Sequence, residues 1–229
     1  MEPEVRGLML AELLPADVAV ADTVGDEDPA AYLLPAEESL VAKSVLKRRR
    51  EVTNARTCAR RALAALGRPE VPILRGAKGE PLWPAGVVGS ITHTAGYYAA
   101  AVAEASAIRS VGVDAEVHDA LPDGVLNHIA FGRELVTLAG LRAADDRIWW
   151  DRLQFSAKES VYKAWFPLTG RWLGFEDAEI IVDPAGTFDA RILIDGTTVD
   201  GGPPLTAMSG RWLVRDGLVL TAVTLLPVS

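Results

Sequence analysis

A helix-like pattern, then a strand, a glycine turn and a second strand: this order occurs twice along the chain. The stretches PLWPAGVVGSITHTAGYYAAAVA (81–103) and PLTAMSGRWLVRDGLVLTAVTLL (204–226) share that layout. Each follows a helical pattern. In residues 39–66, Val41, Val45, Val52, Ala55, Ala59 and Leu63 recur at three, four or seven positions, and Gly67 and Pro69 stop the run. In residues 146–166, Trp149, Leu153, Ala157 and Ala164 share a face, and Pro167 is expected to end the helix. The order predicts an α+β fold, a pseudo-dimer of two similar halves, roughly 1–116 and 117–229, packed as one unit over 1–229.

Between these landmarks, residues 17–38 are acidic and weakly patterned and read as loop. Residues 75–86 are turn-rich, 97–103 and 110–113 read as strands, and 117–130 as loop with a short helix. The last third reads as strands AEIIV, ARILI, RWLVR and LVLTAVTLL, with an Asp-Gly hairpin turn in RDGL.

At 49% hydrophobic residues the chain can fill a sizeable core, which argues against disorder. Cys58 is the one cysteine, so neither an internal disulfide nor a zinc-like spacing exists, and a reducing, cytoplasmic setting is expected. The acidic N-terminus carries no leader pattern, and no apolar run is long enough for a membrane span. A net charge of −8 argues against general nucleic-acid binding. Against that balance, residues 43–61 hold eight Lys or Arg and one acid, Glu51. A local anionic ligand suits such a patch better than a long polyanion.

VGVDAE closes an apolar run with Asp114 and Glu116, two apart and hence on one side of a strand. Paired carboxylates repel unless a cation lies between them, and oxygen ligands suit a hard ion, Mg²⁺ or alternatively Mn²⁺. The plain alternative is a strand running into a solvated turn. FSAKESVYKAWF places Glu159 and Lys163 on one helix face, with Lys158 beside them. Glu159 can supply a third metal oxygen while the lysines face phosphate; Glu then Lys at i, i+4 is also an ordinary surface ion pair. Ser156 and Glu159 match a capping box, but the helical pattern begins well upstream. Helical phase puts Arg49, Arg56 and Arg60 in a row that can hold phosphate, with Arg48 at its margin. RGAKGEP adds Arg75 and Lys78 among glycines, and GSITHT sets His93 among Ser90, Thr92 and Thr94. Neither a nucleophile elbow nor a P-loop is present, which disfavours an ordinary ATPase or kinase.

GSITHT, VGVDAE and FSAKESVYKAWF, in this order and spacing, resemble the three motifs of the 4′-phosphopantetheinyl transferases, in the Sfp/EntD-like branch and more narrowly the actinobacterial PptT-type enzymes. The resemblance extends through KRRREVTNARTCAR, ILRGAKGEPLWP, KAWFPLTGRWLGFEDA and GRWLVRDGLVLTAV. It implies that the active site lies in the cleft between the two halves. It also implies a reaction: the phosphopantetheine arm of coenzyme A passes to a serine of an apo acyl or peptidyl carrier protein, releasing 3′,5′-ADP. By position it implies Asp114, Glu116 and Glu159 as Mg²⁺ ligands, and Lys158 and Lys163 near the pyrophosphate. It puts Arg48 and Arg56 on the 3′-phosphate, Arg48 here being preferred over Arg49 on resemblance alone. Arg75, Lys78, Gly79, Glu80 and Pro81 match the nucleotide-contacting turn, and Ser90, Thr92 and His93 the stretch where the family's histidine meets that phosphate. Arg75 stands where relatives carry Lys.

The expected mechanism has Glu159 as base for the carrier serine, with Glu116 as rival, and Lys163 and Lys158 stabilising the departing oxygens. Carrier domains of fatty-acid, polyketide or nonribosomal peptide synthases are the expected partners, with a monomeric enzyme. A Mg²⁺-dependent phosphohydrolase of CoA-like nucleotides, or a CoA-binding module without turnover, are the alternatives.

Overall fold

The computed structural model describes residues 9–25 and 28–227; the acidic start of the N-terminus lies outside them. Among the described residues no helix is long and apolar enough to cross a membrane. The first half contains β1 (Val18–Val24), α1 (Leu46–Ala65), the short pair β2 (Leu74–Arg75) and β3 (Pro81–Leu82), then β4 (Val87–Thr94) and β5 (Tyr97–Glu104). The second contains β6 (Ser110–Val117), α2 (Leu126–Ile129), α3 (Arg133–Ala144), α4 (Trp150–Thr169), β7 (Ala178–Asp183), β8 (Thr187–Ile192), β9 (Ala207–Arg215) and β10 (Leu218–Leu225). Antiparallel ladders give sheets of order β1-β5-β4 and β6-β10-β9-β8-β7.

The doubling is topological. β1, α1, β4 and β5 repeat as β6, α4, β9 and β10, with strand orders β1-β5-β4 and β6-β10-β9. Both hairpins turn on two residues, Ala95-Gly96 and Asp216-Gly217, and Asp216 and Gly217 both have positive φ, as a type I′ turn requires. Counting from those turns, Ala100 corresponds to Thr221, so its partner Ala21 corresponds to Asp114; Thr23 likewise corresponds to Glu116. The repeat therefore carries its two strand carboxylates once, in the second half.

Alternation explains the packing. Tyr97, Ala99, Ala101 and Ala103 of β5, with Val111, Val113 and Ala115 of β6, fill a core shared by the inner faces of both sheets. Tyr98, Ala100 and Val102 face the other way, onto Cys58, Ala59, Ala62 and Leu63 of α1. Buried on both faces, β5 reads as the near-continuous apolar run YYAAAVA. In the second half Leu153, Ala157, Val161 and Ala164 of α4 cover Val219 and Val223 of β10.

Five expectations are corrected here. β1 lies within residues read as loop: its short VAVADTV pattern is weak, and the strand forms because β5, far along the chain, pairs with it. Residues 35–41 are a 3₁₀ turn, and the long helix starts at Leu46; Val45 and Leu46 are exposed, so the apolar face begins only at Val52. α3 was not anticipated. Pro167 does not stop α4, which runs to Thr169 and closes at Gly170, φ 64°, whose N–H reaches Phe166 O. In the last turn a proline removes a single backbone donor, a loss the helix tolerates. Finally, the ladders place β6 with the second sheet, so the division between sheets falls before residue 110 and not at 116.

Candidate active site

The two sheets are not joined by a backbone ladder where β4 runs beside β6. Side-chain oxygens bridge the seam: Ser90 Oγ accepts Val113 N–H (3.1 Å) and Thr92 Oγ1 accepts Ala115 N–H (3.0 Å). On β6, Ser110, Gly112, Asp114 and Glu116 face α4, opposite Val111, Val113 and Ala115 in the core. Gly112 sets the approach. A Cβ there would lie 2.0 Å from Ser160 O and 2.6 Å from Ala164 N, so only glycine lets α4 lie this close.

That closeness brings Lys163 onto Asp114 and leaves Glu116 and Glu159 each within electrostatic reach of Asp114. Lys163 Nζ donates to Asp114 Oδ1 (2.7 Å) and Val113 O (3.1 Å), while Ser156 Oγ donates to Asp114 Oδ2 (2.8 Å). Glu116 pairs with Arg152 at 3.0 Å. Burial pushes the Glu116 carboxyl up to about 7, and the like charge of Asp114 adds to the rise while Arg152 opposes it. Burial raises Glu159 as well, again with Asp114 reinforcing and Lys163 opposing.

Across the groove stand cations of the first half. Arg56 is buried and its Nε donates to Ile73 O (2.7 Å). Burial lowers its pKa to about 10; Glu37 opposes the shift, and Arg75, Arg48 and Arg60 add to it. The guanidinium remains charged at neutral pH among like charges. Arg48 Nη1 lies 3.0 Å from Glu51 and 3.1 Å from His93 Nε2. Burial lowers the His93 pKa, which suits a neutral ring accepting from Arg48. Residues 75–80 form a tight turn: Gly79 has φ 98°, and Glu80 Oε2 accepts Lys78 N–H (2.9 Å).

A cavity of about 380 Å³ fills the groove between α1 and α4. Arg48, Arg56, Arg75, Lys78, Gly79, Glu80, Pro81, Ser90, His93, Glu159 and Lys163 all line it, so eleven residues singled out in the sequence meet in one place. Four others do not line it. Asp114 lies beneath Lys163, Thr92 faces the seam, and Glu116 is held by Arg152. Lys158 is turned away from the main cavity and borders only the smaller one beside it. It is buried, 2.9 Å from Glu134 and bonded to Phe175 O (2.5 Å) and Ala178 O (2.9 Å), because consecutive helix residues point about 100° apart. The row of Arg49, Arg56 and Arg60 is likewise broken up: Arg49 pairs with Glu38 (2.7 Å) and Arg60 with Glu37 (2.6 Å), leaving Arg56 and the marginal Arg48 in the cavity. Acids distant in sequence thus neutralise much of the 43–61 charge. A second cavity of about 100 Å³ adjoins through Glu159 and Tyr162 and is walled by Trp172, Leu173 and Phe175.

Sequence reasoning missed Gly112, Arg152, Ser156, Tyr162 and Glu134. Ser156 was visible only as a doubtful cap, and it sits in mid-helix holding Asp114.

Among the described residues no three His, Cys, Asp or Glu side chains gather around a common point close enough to hold one ion. The expected ring of Asp114, Glu116 and Glu159 is therefore not closed; Lys163, Ser156 and Arg152 engage two of its members. The donor chemistry still fits a hard divalent cation. Asp114 electrostatically disfavours ionisation of both other carboxyls, a strain that a cation would relieve.

This doubled α+β fold, with a cationic groove facing carboxylates across a seam, has the parts of an enzyme acting on an anionic substrate. Residues 36–103 match the 4′-phosphopantetheinyl transferase N-terminal domain, and residues 110–203 the 4′-phosphopantetheinyl transferase superfamily. The chain belongs to the 4′-phosphopantetheinyl transferase superfamily. It is 52% identical over 228 residues to the 4′-phosphopantetheinyl transferase PptT of Mycobacterium tuberculosis, covering 96% of this chain and 99% of that one. It is 50% identical to Npt of Nocardia iowensis over 224 residues (94% and 99%), and 50% identical to Svp of Streptomyces mobaraensis over 218 residues (94% and 88%).

Proposed function

We propose that the groove between α1 and α4 is where this enzyme moves the 4′-phosphopantetheine arm of coenzyme A onto a serine of an apo carrier protein, releasing 3′,5′-ADP. The nucleotide end, with its 3′-phosphate, lies against Arg48, Arg56, Arg75, Lys78 and His93. One observation carries this reading: Arg56 is buried and charged, with Arg48 and Arg75 adding to the positive field around it. An anion resolves that repulsion. The uncharged arm passes Tyr162 into the apolar second cavity beside Glu159.

Glu159 takes the proton of the carrier serine. It lines both cavities, and burial raises its affinity for a proton above that of a solvated carboxylate. Lys163, held by Asp114 at 2.7 Å, faces the oxygen that departs with ADP and steadies its charge. Glu116, on Arg152, is less well placed for the proton transfer. Lys158 acts as a buried strut. Asp114, Glu116 and Glu159 are the residues that would hold Mg²⁺ or Mn²⁺, which when bound would offset pyrophosphate charge. Because the doubled fold supplies both walls of the groove, a single chain suffices.

Intact-mass measurement on apo carrier domains incubated with CoA and Mg²⁺ tests this. Transfer adds about 340 Da to the carrier, the mass of the arm as a covalent modification. Release of free phosphopantetheine, or CoA binding without turnover, would sink the reading.

A further inference from the structure

Glu37 is fully buried, although it sits on a short 3₁₀ turn (Pro35–Val41) that the sequence pattern gave no reason to single out. Its carboxylate is saturated. One oxygen accepts Ile73 N–H at 2.8 Å; the other accepts Arg60 Nη1 at 2.6 Å and Leu34 N–H at 2.9 Å. Arg60 is itself fixed, with the Tyr32 ring 4.5 Å from its guanidinium carbon and its Nη2 on Tyr32 O.

The Ile73 peptide links this pair to the groove. Its N–H is held by Glu37, and its carbonyl accepts Arg56 Nε at 2.7 Å. Two residues on, Arg75 opens the cationic turn that carries Lys78 and Gly79 into the cavity wall. Arg60, Glu37, Ile73 and Arg56 form a continuous chain of bonds across three segments brought together by the fold: α1, which carries both arginines, the 35–41 turn and the loop before β2. A buried ion pair that served stability alone could be replaced by apolar side chains without functional cost. This one ends on the backbone of the anion-binding wall.

We propose that Glu37 is a positioning residue: with Arg60 it fixes the Ile73 peptide, and through it sets the guanidinium of Arg56 and the 75–80 turn for the nucleotide phosphates. The proposal rests on the reading of that wall as the coenzyme A nucleotide site. Glu37 lies outside the groove and touches no reacting atom, so its effect falls on binding and not on the chemical step.

The test compares E37L/R60M, R56A and the combined triple variant, with E37Q as a single change that keeps an acceptor at Ile73 N–H. E37L/R60M avoids an unpaired buried charge and is expected to stay folded by thermal melting. The KM for CoA should rise about tenfold, with kcat within about threefold of the parent, and the affinity for 3′,5′-ADP by calorimetry should fall in parallel. On an R56A background the same change should add less than about threefold, since the positioned group is gone. E37Q should keep its KM within about threefold of the parent, since the acceptor at Ile73 N–H remains. Should E37L/R60M not fold, E37M, with Glu70 still 3.3 Å from Arg60, is held to the tenfold KM pattern. An unchanged KM in a folded variant that lacks the acceptor, or losses that multiply fully with R56A, overturns the proposal. If R56A leaves 3′,5′-ADP affinity unaltered, the nucleotide reading of the wall falls first, and the proposal with it.

Discussion

Replacing Gly112 with alanine tests the geometry on which the active site depends. The added Cβ would lie 2.0 Å from Ser160 O, 2.6 Å from Ala164 N and 3.1 Å from Ala164 Cβ. Two of these are backbone atoms of α4, so no side-chain rotation relieves the overlap. Restoring ordinary contact near 3.5 Å requires α4 and β6 to separate by more than about 1 Å. Overpacking of this kind costs about 1–3 kcal/mol. At roughly 2–4 °C per kcal/mol for a chain of this size, melting should fall by about 2–12 °C. The larger effect falls on chemistry. Lys163 and Glu159 ride on α4, whereas Asp114 sits on β6, so the shift stretches the 2.7 Å Lys163–Asp114 contact. Misplacing a reacting group by about 1 Å costs on the order of 10²-fold in rate. The assay is the initial rate of carrier modification by intact mass, alongside thermal melting. Gly140 is the control: nothing lies within 4 Å of its Cβ position in α3, so G140A should be neutral or stabilising by up to about 1 kcal/mol. If G112A keeps a rate within threefold and an unchanged melting temperature, the close-packing argument is wrong.

Glu159→Gln should lower carrier modification by roughly 10²–10⁴-fold while 3′,5′-ADP still binds, measured by calorimetry; near-normal turnover would remove Glu159 as the base. Lys158→Met leaves Glu134 buried and uncompensated, an effect of about 3–5 kcal/mol, so melting should drop by roughly 6–20 °C. K158M/E134Q should recover most of that loss, and a parental melting temperature in K158M alone would show that the pair is no strut. Asp22 gives a pH test away from the groove. Burial raises its carboxyl above the usual range, although Tyr97 O–H donates to it at 2.9 Å. The folded state then holds this proton more tightly than the unfolded state, so the group contributes nothing below its unfolded pKa and destabilises as pH rises through the folded value. Urea midpoints should therefore favour D22N over the parent more at pH 8 than at pH 4, and an equal difference at both would refute the assignment.

Local chemistry made much of this protein legible in one dimension. The doubled helix-and-hairpin order, the two-residue turn at Asp216-Gly217 and the common side of Asp114 and Glu116 all follow from periodicity and turn residues, which act over a few positions. Of the eleven cavity-lining residues, Arg56, Arg75, Lys78, Ser90, His93, Glu159 and Lys163 could be singled out from the residues themselves, whereas Gly79, Glu80, Pro81 and the choice of Arg48 over Arg49 rested on the family resemblance. What tertiary structure decided is which of those charges are free. Arg49 and Arg60 are neutralised by Glu38 and Glu37, and Lys158 by Glu134, partners 11 to 24 residues away that no spacing rule connects. β1 exists because β5 pairs with it, and α4 reaches β6 because Gly112 has no side chain to keep it off. A sequence states which groups a chain carries; the cost of burying a charge alone settles which of them must pair, and that cost is fixed only once distant segments meet.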